Sequence, residues 1–268
     1  MTQTERRVYL IQELLAEEPQ YRKMPVPADG AGQKRLLRSL MNVRRAGPAG
    51  GDFLAVQDEY LREELAQRGV TEFADLRPIA EGIYLWQGDI TALRCDAIVN
   101  AANSRLTGCY VPCHRCIDNC IHTYAGMQLR QECAAILREQ GRGEETGGAK
   151  ITKAYNLPCK YVLHTVGPII SGPLTARDEA LLASCYRSCL TLAEAHGIES
   201  VDFPSISTGV YGYPLAQAAC VALKAIMDFL AEHELPRRVR MVCHTEGTAK
   251  VYRQTYNMWY AGDKSERL

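Results

Sequence analysis

The sequence predicts an α/β protein, three layers deep with a largely parallel sheet, preceded by a helical extension. From residue 83 onward, short apolar runs alternate with longer amphipathic stretches, the rhythm of strand–helix units. Before that point apolar residues recur only at helical spacing. A chain of 268 residues that is 47% apolar supplies a sizeable core for one large domain with an appendage.

In chain order, residues 4–17 and 56–68 carry helical apolar spacing. Between them, 25–52 is rich in Gly, Pro, Ala and Arg and reads as either a basic helix or a linker; its charged run at 34–45 reads as a solvated face. These segments form a helical extension over residues 1–75, and the main domain occupies 76–268. Strands are expected at 83–86, 97–101, 161–165, 200–203 and 239–243. Helices are expected at 118–140, 177–196 and 214–232, the first burying Ile121, Ala125, Leu129, Cys133 and Ile136 along one face. There is no internal repeat.

Basic and acidic residues balance at 31 each, so total charge steers the protein neither to nucleic acid nor to an anionic membrane. No apolar run approaches the ~20 residues of a membrane span, and the first residues lack the apolar core of a secretory signal, which predicts a cytoplasmic protein. Of eleven cysteines, Cys95, Cys133, Cys185, Cys189, Cys220 and Cys243 lie in apolar patterns and read as reduced core residues.

The stretch 108–122 is different. It reads Gly-Cys-Tyr-Val-Pro-Cys-His-Arg-Cys-Ile-Asp-Asn-Cys-Ile-His, placing four thiols, two imidazoles and a carboxylate in one turn-rich segment. Soft thiolate and imidazole donors converging from a loop are what zinc needs. Three of them, Cys109, His114 and Cys116, leave a tetrahedral ion one open position; adding Cys113 or Cys120 would close the shell and make the ion a structural staple. The open arrangement is favoured because a phosphate-binding cleft is expected beside it. His122 and His164 read as packed, hydrogen-bonded core histidines.

In open α/β sheets ligands sit beyond the carboxyl ends of the strands. Three segments end strands there: 88–91, 100–103 and 204–214. The last offers small residues, hydroxyls and two glycines before a helix, suited to a phosphate through backbone N–H groups, although an ordinary turn has the same composition. Asp89 is an acceptor for an exocyclic amine or simply a turn cap; Asn100 and Asn103 suit sugar hydroxyls or turns; Tyr211 offers a ring to a sugar or to packing.

Taken jointly, Gly88-Asp-Ile-Thr, Asn100-Ala-Ala-Asn-Ser, the segment 118–122, Lys160-Tyr-Val-Leu-His-Thr-Val-Gly-Pro and Phe203-Pro-Ser-Ile-Ser-Thr-Gly-Val-Tyr-Gly-Tyr-Pro resemble, in order and spacing, the macrodomain family of ADP-ribose-binding modules. The resemblance spans about residues 82–256. Within the family the chain looks like the MacroD-type branch, and more narrowly like the microbial zinc-dependent macrodomains, whose glycine-rich catalytic loop is replaced by a cysteine- and histidine-bearing one. It implies a three-layer αβα fold with a mixed, largely parallel sheet.

By the same resemblance, Asp89 binds the adenine amine with the backbone of Ile90 beside it. Asn103 lies near the distal ribose, Ser207, Thr208, Gly209, Val210 and Tyr211 form the diphosphate and distal-ribose loop, and Asp118 is the catalytic-loop aspartate. Cys109, His114 and Cys116 would be ligands to one Zn²⁺. After the last strand the chain reads Cys-His-Thr-Glu-Gly-Thr, without the aromatic residue often found there against the adenine.

The implied activity is hydrolysis of mono-ADP-ribose from modified protein side chains, through an ester at C1″ to Asp or Glu. Zinc would either lower the pKa of a bound water toward ~7 or orient the ribose and leaving carboxylate. The alternatives are a non-catalytic ADP-ribose reader with a structural zinc, and an O-acetyl-ADP-ribose deacetylase.

Overall fold

Seven strands lie in the order β1-β2-β7-β6-β3-β5-β4. The computed structural model describes residues 1–72 and 76–261. The five inner strands, β2 (Ile83–Gln87), β7 (Arg238–Cys243), β6 (Ser200–Pro204), β3 (Cys95–Ala102) and β5 (Cys159–Val166), are mutually parallel. Two short edge strands, β1 (Pro78–Ala80) and β4 (Ala149–Lys153), pair antiparallel and make the sheet mixed. The sequence reading placed the inner strands and missed both edges. An edge strand half open to solvent carries too few apolar residues to register as a run.

Alternate side chains of the inner strands face opposite layers. Ala97, Val99 and Val201 pack beneath α6 (Ala176–Ala195), α7 (Leu215–Glu232) and α8 (Glu246–Tyr256). Ile98, Val162 and Val242 pack against α4 (Ile117–Ala125) and α5 (Met127–Gln140). The helix expected over 118–140 is therefore two helices. They part at Gly126, whose φ of +98° suits glycine and whose Cβ, if present, would lie 2.6 Å from Gln57 Nε2. The predicted inward face survives the break, since Ile121, Ala125, Leu129 and Cys133 are fully buried, while Ile136 is half-buried.

Residues ahead of the sheet form α1 (Gln3–Glu17), α2 (Gly30–Val43) and α3 (Gly51–Arg68) around their own core, in which Leu10, Leu37, Phe53 and Tyr60 meet Met127 of α5. The segment left open as helix or linker is thus largely helix, started by Asp29, whose carboxylate accepts from Gly32 N–H. Its charged run is only partly a solvated face. Lys34 and Arg35 are exposed, but Arg38 and Asn42 turn inward onto α4 and the loop before it.

The expected boundary at residue 75 lies outside the described residues. Four of the six cysteines read as core, Cys133, Cys185, Cys189 and Cys243, are buried; Cys95 and Cys220 are half-buried. No helix among the described residues is long and apolar enough to cross a membrane.

Candidate functional site

The loop 106–116 runs from the end of β3 to the start of α4. Cys116 caps that helix, its Sγ accepting from Asn119 N–H at 3.4 Å. This puts Asp118 in the first turn, where a carboxylate is favoured by the helix dipole. Asp118 is 5% exposed; Asn100 Nδ2 donates to its Oδ1 at 2.8 Å and Asn103 Nδ2 to its Oδ2 at 3.2 Å. Burial pushes its carboxyl up to about 6, against the opposing pull of Asn100, Arg130 and Asn103. Burial likewise raises the Tyr211 phenol, and the charges of Asp118 and Cys116 add to it.

Asn103 and Asp118, read from the sequence as ribose-side groups, are therefore bonded to each other. Asn103 also donates to Gly108 O at 3.2 Å and accepts from Arg105 N–H at 3.0 Å, so it braces the loop as well as the carboxylate. Asn100 and Arg130 are the members of this constellation that sequence reasoning did not assign. Asn100 was read as suited to sugar hydroxyls or to a turn, not as a partner of Asp118, and a buried Arg on a long amphipathic helix leaves no pattern to read.

Cys109, His114 and Cys116 converge, with donor atoms all within 4.8 Å of one another and Cys109 Sγ 3.5 Å from His114 Nδ1. Burial pushes the Cys116 thiol up to about 12 and the neighbouring Cys109 adds to it, the situation a cation between the two sulfurs would reverse. By donor type and spacing the three residues fit a zinc ion. Cys113 and Cys120 stand apart. Cys113 Sγ lies 3.2 Å from Ser39 Oγ, and Cys120 Sγ takes a 3.5 Å contact from Arg38 Nη2.

A second cluster, His122, Cys133 and His164, is wholly buried. His164 is saturated by Asn100 Nδ2 at 3.1 Å and Thr152 Oγ1 at 2.9 Å, as a packed histidine should be. His122 departs from the expectation of a hydrogen-bonded core residue: neither ring nitrogen has a hydrogen-bond partner among the described residues, and its Nε2 stands 3.6 Å from Asp118 Oδ1.

Asp89 follows β2 and caps the 3₁₀ turn Ile90–Ala92, its Oδ1 accepting from Thr91 N–H at 2.9 Å and Thr91 Oγ1 at 2.7 Å. The cap reading is correct, yet half of the side chain remains exposed, and Oδ2 is held by Arg68 Nη1 at 3.2 Å. Between β6 and α7, Thr208 Oγ1 donates to Ser205 O at 3.0 Å and Tyr213 N–H to Ser207 O at 2.9 Å, closing a tight loop. Ser207 sits at φ +63° against Gly167, where a Cβ would come within 2.1 Å of Ser207 Oγ. Gly209 and Val210 project outward, Val210 being 83% exposed. Both segments leave the carboxyl ends of parallel strands, β2 and β6, which flank β7 in the sheet. A cavity of ≈ 800 Å³ bounded by Cys95, Cys159, Lys160 and Ser200 opens at the amino ends instead, the wrong end of the sheet for a nucleotide.

The Macro domain model matches residues 99–222. A protein-ADP-ribose hydrolase of Treponema medium is 53% identical over 256 residues, which cover 94% of this chain and 98% of the relative. The chain belongs to the macrodomain family. An O-acetyl-ADP-ribose deacetylase of Salmonella gallinarum is 49% identical to this macrodomain over 166 residues, 62% of this chain and 89% of that one. Among solved structures, a Trypanosoma brucei macrodomain in complex with ADP-ribose superposes with a TM-score of 0.63 at 34% identity, covering 81% of this chain and 94% of that one.

Proposed function

We propose that this macrodomain hydrolyses the bond between the distal ribose of ADP-ribose and an Asp or Glu side chain of a modified protein. The observation that carries the reading is the buried carboxylate of Asp118. It is fixed by Asn100 and Asn103 and stands two residues from Cys116 in the soft-donor cluster. A module that only holds its ligand has no need of a desolvated carboxylate beside a three-donor set. The Treponema relative's name supports the same reaction class.

In this reading the exposed face of Asp89 accepts the adenine amine beside the Ile90 backbone, and Ser207 to Tyr211 offer backbone N–H groups to the diphosphate ahead of α7. Binding the nucleotide along this line delivers C1″ to Asn103 and Asp118 and converts affinity into proximity. Asp118 accepts a proton from the attacking water. The water's oxygen is retained on C1″, the C1″–O bond breaks, and the departing carboxylate leaves with its bonding pair. Zinc held by Cys109, His114 and Cys116 would supply a Lewis acid at the ribose end. Thiolate ligands require reduced cysteines, which supports a reducing, cytoplasmic compartment for the reaction. We also take residues 1–75 as the extension and 76–268 as the macrodomain.

Hydrolysis of a glutamate-linked ADP-ribosylated protein tests the reading, with Asp118→Ala and with zinc removed and restored. Asp118→Ala is expected to lower kcat about 10²–10⁴-fold while ADP-ribose still binds. Unchanged turnover in that variant would sink the assignment. Unchanged turnover after verified zinc removal would reject the metal alone. The Salmonella relative favours a second reading, deacetylation of O-acetyl-ADP-ribose. A kcat/KM higher for that ester than for the modified protein selects it.

A further inference from the structure

The metal-ligand loop is held from outside by the N-terminal helices. Cys113, inside the loop, adopts φ +53°, a left-handed conformation that a non-glycine residue keeps only when its surroundings enforce it. The enforcing contacts come from α2. Asn42, 1% exposed, accepts from Cys113 N–H through its Oδ1 at 2.9 Å and donates through Nδ2 to Thr123 Oγ1 of α4 at 2.9 Å. One turn earlier, Arg38 Nη2 donates to His114 O at 2.8 Å and to Asn119 Oδ1 at 3.0 Å. Asn119 in turn donates to the Cys109 and Val111 carbonyls at 3.2 and 3.0 Å.

Each of the three donor residues thus has a tie that leads to α2. Cys109 is reached at its carbonyl through Asn119 and His114 at its carbonyl directly, whereas Cys116 is reached at its Sγ, which accepts from Asn119 N–H. On the far side Arg130 clasps the carbonyls of Met41, Asn42 and Arg44 at the end of α2, and its guanidinium lies 4.5 Å from the Tyr110 ring of the loop. Loop and helix are therefore clamped between the same residues of α4 and α5.

We infer that α2 is the outer shell of the metal site, with Asn42 and Arg38 as positioning residues that set how tightly the Cys109–His114–Cys116 loop retains its ion. The inference rests on the metal reading above and adds to it that the N-terminal extension, not only the macrodomain, determines zinc retention. Outer partners that orient ligating groups typically govern affinity by 10–100-fold, about the size expected here.

The test uses the full-length zinc-loaded protein and follows transfer of zinc to a chromogenic chelator, alongside hydrogen exchange over residues 109–116 and ADP-ribose affinity. Asn42→Ala and Arg38→Ala are each expected to speed zinc release by about tenfold or more and to accelerate exchange at Cys113, with ADP-ribose affinity within about twofold of the parent. In Arg38 a single nitrogen makes both oxygen contacts. Arg38→Lys, which retains a multi-donor nitrogen, should therefore recover part of the retention, which a merely structural defect would not allow. Should either alanine variant fail to fold, Ser39→Ala, which removes only the hydroxyl beside Cys113 Sγ, carries the same sign at smaller size. Release and exchange rates equal to the parent's in the folded variants would overturn the inference and leave the metal reading standing. A parent protein that binds no zinc would overturn both.

Discussion

At the scale of single residues, the cleft is assembled by side chains that serve two masters. Asp89 caps a 3₁₀ turn with one oxygen and meets Arg68 with the other, while the same arginine donates to Thr91 Oγ1 at 3.1 Å and stacks 3.8 Å above the Tyr124 ring. Arg68 ends α3, so the adenine carboxylate of the proposed site is oriented by the extension. Both partners are partly exposed, 27% and 50%, and solvent screening limits the pair to about 0.2–1 kcal/mol. Arg68→Ala should accordingly weaken ADP-ribose binding by no more than about fivefold, measured by calorimetry. Tighter binding would mean that Arg68 competes with the adenine for Asp89. Little of this pairing was legible in the sequence, because Arg68 and Asp89 are separated by a strand pair and the contact exists only once both are placed.

At the scale of elements, the parallel core brings β6 and β7 together so that Asp202 and Arg240 face each other in register. The pair is completely buried and bidentate, at 2.9 and 2.7 Å, with the guanidinium also 5.6 Å from the Trp86 ring. Removing one partner leaves the other's buried charge less compensated. Asp202→Asn should cost about 3–5 kcal/mol in denaturant unfolding. A loss below about 1 kcal/mol would show that Arg240 is stabilised by other groups. Strand periodicity foretold β6 and β7, but two charged residues within predicted strands gave no sign that they would meet. The break between α4 and α5 was hidden for a similar reason. The apolar stripe runs through Gly126 unbroken, and only Gln57, whose Oε1 accepts from Met127 N–H at 2.9 Å, marks the new helix start.

At the scale of the whole molecule, two buried imidazoles tie stability to pH. Burial holds His164 at about 3 and His122 well below 6.5, so below about 6.5 the unfolded chain binds protons that the folded chain refuses. The His164 contribution is complete above that value and is lost as pH falls toward 3, and His122 acts in the same direction. His164 is faced by Asn100 from β3, Thr152 from β4, Cys133 from α5 and the His122 ring from α4, none of them a compensating anion. The raised carboxyl of Asp118 acts in the opposite sense, since its folded form gains a proton below about 6. His164→Gln should therefore reduce the pH slope of unfolding free energy by about 1.4 kcal/mol per pH unit between roughly pH 6 and 4, read from urea titrations. An unchanged slope would show that His164 is protonated in the fold.

What the sequence determined by itself was the α/β class, the five inner strands, the helical character of the N-terminal residues and the crowding of thiols and imidazoles in residues 108–122, from which the family resemblance singled out Cys109, His114 and Cys116. Each is a matter of periodicity or of donors close together along the chain, and such information is local. The tertiary structure alone decided that Cys113 and Cys120 turn away from the other donors, that Asn100 and Arg130 surround Asp118, and that α2 and α3 reach the loop 106–116 and Asp89. Those contacts join residues about ten to eighty positions apart, and which of two polar groups meets across such a distance is settled by how the layers pack, not by either group's neighbours in the chain.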